Sequence, residues 1–156
     1  MSVKTKLIGD LGELVTTFCL MKEYKDIPIE WIGAENAPCD IEIPFPHGDT
    51  FKKPTAMTVM TRDLKAIHAS GTLTLTKERI EKIQADLGGK GWEYWLGLVL
   101  YDFANQKFKF KVHLFPTNIL TDEDYDAEKN NEIKIGRIIE KSGKDKRVLV
   151  YSSDKY

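Results

Sequence analysis

Asp63 and Lys65 set a carboxylate and an ammonium two residues apart near the end of Thr55 to Ile67, a β-branched and aliphatic segment that reads as a strand. Residues two apart on a strand share a face, so the pair would act on one point in space. Asp40 opens the preceding predicted strand, Asp40-Ile-Glu-Ile-Pro-Phe, from which its side chain could reach Asp63. Glu13 lies on the boundary of the apolar face of an N-terminal helix. Mg²⁺ takes one or two carboxylates and keeps several waters, so carboxylates converging from neighbouring elements are enough to hold it. A cation so held, with an ammonium beside it, is the equipment for displacement at phosphorus by an activated water.

The elements that must position these groups follow from periodicity. Residues 5–23 carry Leu7, Ile8, Leu11, Leu14, Val15, Phe18, Cys19 and Met21 mostly three and four apart, an amphipathic helix. Pro28 to Gly33 reads as a short strand, Ala34 to Pro38 as a loop, and Pro46-His-Gly-Asp as a turn. After the Thr55–Ile67 strand comes an extended piece, Thr72 to Leu75. Thr76 then caps a helix from Lys77 to Leu87, stopped by Gly88-Gly89. Trp92 to Tyr101 and Lys107 to Phe115 are two further strands. The tail holds an acidic stretch and a predicted β-hairpin, Ile133–Glu140 with Arg147–Tyr151. The expectation is an α/β fold in the order α-β-β-β-α-β-β, with residues 1–120 as the core and 121–156 as an accessory segment of the same domain.

The 156 residues suit one domain, and a formal net charge of −1 excludes a polycation that coats nucleic acid by charge alone. Cys19 and Cys39 are too few for a disulfide framework and lack zinc-ligand spacing, which suggests a reducing compartment. No signal-peptide core follows Met1, and no apolar run reaches transmembrane length, so the cytoplasm is the expected location.

Taken together, Gly12-Glu13 in a first helix, Pro38-Cys39-Asp40-Ile41 entering a strand and Asp63-Leu64-Lys65 ending the next resemble the PD-(D/E)XK nuclease superfamily. Leu73 to Ile83 and Trp95-Leu-Gly-Leu-Val-Leu resemble the helix and strand that follow the motif there, so the likeness spans roughly residues 7–115. It implies a restriction-endonuclease-like mixed sheet flanked by helices. It also implies Mg²⁺, with Mn²⁺ as its substitute, bound by Asp40, Asp63 and the Leu64 carbonyl. Lys65 would orient or activate the water and Glu13 would assist at a second metal position. The nearest flavours are archaeal Holliday-junction resolvases, homing enzymes and viral nucleases. Cys39 splits the Pro-Asp pair, and Asp63 stands where Glu is commoner.

Lesser candidates are Glu42, two beyond Asp40, and His68, just past the motif. Phosphate contacts are expected from Lys52, Lys53 and Lys77, which flank the predicted centre in sequence. Further basic side chains sit at Arg62, on the second helix and in the tail. The reading is a metal-dependent endonuclease on double-stranded or branched DNA, acting as a homodimer or higher homo-oligomer. Its rivals are a non-catalytic binding module on a decayed nuclease fold and an exonuclease acting on DNA ends.

Overall fold

A computed structural model describes residues 3–33, 38–67 and 71–155. The long helix α1 (Val3–Glu23) turns Gly12, Val15, Thr16, Cys19 and Leu20 inward. The sheet is built from β1 (Glu30–Trp31), β2 (Ile41–Ile43), β3 (Thr55–Asp63), β5 (Glu93–Ala104), β6 (Lys107–Pro116) and β9 (Leu149–Ser152), in the order β1-β2-β3-β5-β6-β9. Neighbouring strands run antiparallel except β3 and β5, which are parallel from Thr55↔Glu93 to Asp63↔Tyr101. A parallel pair needs a crossover, supplied here by β4 (Thr72–Thr76) and α2 (Lys77–Gly88). Thr76 caps α2 by accepting from the Arg79 N–H at 3.2 Å. The β5–β6 hairpin turns on Asn105 and Gln106, both at positive φ, the geometry of a two-residue primed turn.

Period-2 alternation on the central strands fills two cores. Met57, Val59, Trp95, Val99, Val112 and Leu114 pack with Val15, Cys19 and Leu20 of α1 on one face. Ala56, Leu96, Leu98, Leu100 and Phe115 pack on the other with α2 and with α3 (Ile135–Ser142). A small second sheet, β4-β8-β7, uses β7 (Tyr125–Asp126) and β8 (Glu132–Lys134). The mixed sheet with helices on both faces is the α/β class expected from the sequence.

Two local expectations fail. The strand expected to run to Ile67 ends at Asp63, and Leu64–Ala66 form a single 3₁₀ turn. The Asp63 carboxylate accepts from the Lys65 N–H at 2.9 Å, a local bond that replaces continued strand pairing. The C-terminal hairpin is also absent: β9 pairs with β6, and Ile135–Ser142 is helical. Ile135, Ile138 and Ile139 follow helical spacing, and their β-branched type disguises it. The helix is then fixed by Asp124, which pairs with Arg137 at 3.1 Å and Lys141 at 3.2 Å. Residues four apart lie side by side on a helix but about 13 Å apart on a strand, so only the helix lets both reach one carboxylate.

Candidate functional site

The acidic groups are gathered where α1 crosses β3. Gly12 allows the crossing: a Cβ there would stand 1.8 Å from the Thr61 Oγ1, so only a glycine lets α1 come this close. That contact places Glu13, one residue on, beside the sheet. Its Oε1 accepts from the Trp31 indole N–H at 3.0 Å, which ties helix to edge strand. Asp40 accepts from the Val59 N–H at 2.8 Å, while its own N–H bonds the Met57 carbonyl. Asp10, Glu13, Asp40 and Asp63 line one cavity of about 590 Å³, with Lys6, Thr61, Arg62 and Tyr101 also in its wall.

Electrostatics divides this set. Burial pushes Glu13 up to about 7; the Trp31 bond opposes the rise, and the charges of Asp40 and Asp10 add to it. Asp40 is raised by burial, against the Val59 N–H and with the help of Asp10. Three carboxylates therefore feel one another. Asp63 instead bears on Tyr101, whose hydroxyl is raised by burial first and by Asp63 second. Asp63 lies four residues beyond Val59, about 13 Å further along the strand, and lines the same cavity.

Lys65 does not share a face with Asp63. Its ammonium stands 3.5 Å from Asp102, which neighbours Leu100 and Lys109 on the face opposite α1. Leu64 is half-exposed and lines a second cavity on that face, and its carbonyl accepts from the Ile67 N–H at 3.4 Å. Lys52 and Lys53 are exposed but precede β3 at its start, about 26 Å of strand away from Asp63. Lys77, at the start of α2, pairs with Asp122 at 2.8 Å and Glu81 at 3.9 Å. Of the three lysines expected to contact phosphate, none lines the acidic cavity; Lys6 and Arg62 do. Glu42 follows Asp40 on β2 and is outside the cavity wall, and His68 lies outside the described residues.

Asp10, Arg62 and Tyr101 complete the wall. Asp10 was findable, being three residues before Glu13 and hence on the same flank of α1. Tyr101 was not, because its position follows from the β3–β5 register.

The carboxylates match a hard divalent cation in kind. Glu13 and Asp40 each commit one oxygen to an internal donor, and both are raised by burial first, with Asp10 adding to each. As they stand they amount to a pair: among the described residues no group of three His, Cys, Asp or Glu side chains is close enough to hold a metal. A pair is sufficient for Mg²⁺, which completes its shell with water and substrate oxygens. Cys19 and Cys39 are free and buried, their thiols pushed up to about 11 by burial, which makes them poor nucleophiles. Among the described residues no helix is long and apolar enough to cross a membrane.

The class of the molecule is a mixed α/β fold with a carboxylate-lined cavity under its first helix. Two solved structures are similar to the chain. The Holliday junction resolvase Hjc of Archaeoglobus fulgidus shares 18% identity at a TM-score of 0.36, over 81% of this chain and 98% of that one. A restriction endonuclease in complex with substrate DNA shares 13% identity at a TM-score of 0.44, over 92% of this chain and 69% of that one. With overlaps and identities that low, neither likeness assigns a role to a residue. No protein-family model matches the chain, and no curated protein sequence does.

Proposed function

We propose that the chain is a Mg²⁺-dependent DNA nuclease of the cytoplasm whose centre is the cavity between α1 and β3. The observation that carries this reading is the set of carboxylates Asp10, Glu13, Asp40 and Asp63 lining one cavity, with Glu13 and Asp40 raised by burial and by neighbouring negative charge. Buried like charges without a matched cation are costly, and such groups cluster at working sites. Asp40 and Glu13 would hold the metal. Bound there, the cation would polarise a phosphodiester and acidify a water.

The remaining roles belong to the chain's own side chains. The Val59 N–H and the Trp31 indole fix the orientation of the two carboxylates. Arg62 is half-buried in the cavity wall, where its guanidinium, anchored on the Thr61 carbonyl at 2.9 Å, would meet the phosphate. Asp63 would bind metal-bound water from the cavity wall. Lys65 would serve only after leaving Asp102, which its largely exposed side chain permits.

Asp40→Asn and Glu13→Gln should each lower Mg²⁺-dependent cleavage of double-stranded or branched DNA by about 100-fold or more, with far-UV circular dichroism unchanged. Full activity in either variant would remove the cavity from the mechanism. Asp63→Ala and Lys65→Ala test the two outer roles in the same assay, and an end-labelled duplex separates internal cutting from digestion of ends. A second reading has one observation in its favour, the turn of Lys65 toward Asp102: a module that binds DNA without cutting it. Retention of DNA with no cleavage in Mg²⁺ or Mn²⁺ would select it.

A further inference from the structure

The outer face of α1 is apolar as well as the inner one. Val3, Leu7, Leu14, Phe18 and Met21 are between 45% and 77% exposed. With half-buried Leu11 they form a row whose gaps are four, four, three, four and three residues. At 3.6 residues per turn this row lies about 150° around the helix from Gly12, Thr16 and Cys19, which face the sheet. Such spacing is that of a helix–helix seam. A helix that buries one face in its own core has no internal use for a second apolar face.

We infer that this row is the seam by which two copies of the chain pair, α1 against α1 and antiparallel. The gaps from Leu7 to Phe18 read four, three, four in either direction, so the row is complementary to its own reverse. Reversed on itself, Val3 meets Met21 of the second copy, Leu7 meets Phe18 and Leu11 meets Leu14. Burying about 100 Å² at each exposed side chain removes about 500 Å² per copy and about 1,000 Å² in all, the lower limit for a specific interface before flanking residues are counted. A lipid surface fits less well. An interfacial helix carries basic residues along its polar face, whereas the flanks of this row mix charges: Asp10 and Glu13 stand with Lys6 on one side, Lys6 pairing Asp10 at 3.6 Å, and Lys4 and Lys22 lie on the other.

The pairing has a consequence that rests on the nuclease reading. The two-fold axis of an antiparallel pair is perpendicular to the plane of the two helices, so a given flank of both copies faces the same side. Glu13 sits near the midpoint of the row, between Leu11 and Leu14. Both acidic cavities would then open toward one side of the dimer, as cutting two strands of one duplex requires.

Sedimentation equilibrium of the full chain through the micromolar range tests the seam without reference to activity. The wild type should approach twice the 17.8 kDa of one chain. Phe18→Glu should sediment as a single chain with unchanged circular dichroism; Met21→Glu, at the other meeting point, is the second variant should the first misfold. Leu7→Cys mixed with Phe18→Cys should cross-link across copies, while Leu7→Cys alone should not. A wild type that stays monomeric throughout, or a dimer indifferent to both glutamates, overturns the inference. A Leu7–Leu7 cross-link overturns the antiparallel sense. Co-sedimentation of a monomer with phosphatidylglycerol vesicles, lost in Phe18→Glu, would assign the row to a membrane instead.

Discussion

Two buried carboxylate regions differ in what surrounds them. Asp124 is fully buried, yet its carboxyl is held below the ordinary range. Burial works against ionisation, but the Thr121 N–H, Arg137 and Lys141 outweigh it. Glu13 and Asp40 are half-buried, and both are raised, by burial first and by neighbouring carboxylate charge in addition. The first arrangement is finished by the fold: each oxygen has a donor, and the charge ties α3 to the 121–125 turn. The second keeps oxygens and charge in reserve. Partly buried carboxylates left uncompensated by the chain are what a ligand can complete, and on that contrast rests the role proposed for Glu13 and Asp40.

The largest expected effect tests the finished region. Asp124→Asn leaves Arg137 and Lys141 without their shared acceptor and should cost about 3 kcal/mol in urea unfolding. Because the folded pKa of Asp124 lies below its unfolded value, its contribution is present above that value and is lost as pH falls through the folded one. The asparagine variant should therefore show a weaker decline in stability at acid pH than the wild type, with DNA cleavage at neutral pH retained in the folded fraction.

A smaller effect tests how the reserve region is assembled. Gly12→Ala drives a Cβ into the Thr61 hydroxyl and should cost about 2 kcal/mol while lifting Glu13 from the sheet. Adding Thr61→Ala removes the obstructing atom, which is buried and has no hydrogen-bond partner, and should recover most of the loss. Failure of the double variant to recover would mean that α1 is seated by other contacts.

The sequence carried the large periodic features and missed those decided by tertiary partners. The first helix, the strand from Asp40, the central strand and the Thr76 cap were legible because apolar spacing and capping are local. The end of β3 was not, because Asp63 bonds the Lys65 backbone and stops the strand four residues short of where residue type placed it. This is why the Asp63 and Lys65 side chains part company, although their spacing suggested a shared face. Lys52 and Lys53 were misleading for a related reason: nearness in sequence to β3 put them at the wrong end of it. The Trp31–Glu13 bond joins residues eighteen apart, and no local pattern announces such a pairing. The α3 helix was hidden by isoleucines, whose residue type argues for strand while their spacing argues for helix.

The smallest effect is the most direct measure of the reserve. The folded pKa of Glu13, about 7, lies above the unfolded value of 4.5, so the folded protein holds a proton that the unfolded chain releases. The Glu13 contribution to stability should therefore be greatest below the unfolded value, fall as pH rises between about 4.5 and 7, and level off above that. Since Glu13 is only half-buried, solvent screening reduces the size of the fall to about 1 kcal/mol. Buried His113, lowered to about 4, makes stability rise over part of the same range, so the Glu13 share is read as the difference between Glu13→Gln and the wild type in urea unfolding with EDTA. That difference should grow in favour of the glutamine variant between about pH 4.5 and 7. The same difference measured in an Asp124→Asn background should be unchanged, since that carboxyl is held below its ordinary range and titrates below this window. Mg²⁺ should shrink the difference by supplying the missing positive charge. A difference that does not change with pH would place the uncompensated charge elsewhere and dissolve the contrast between the two regions.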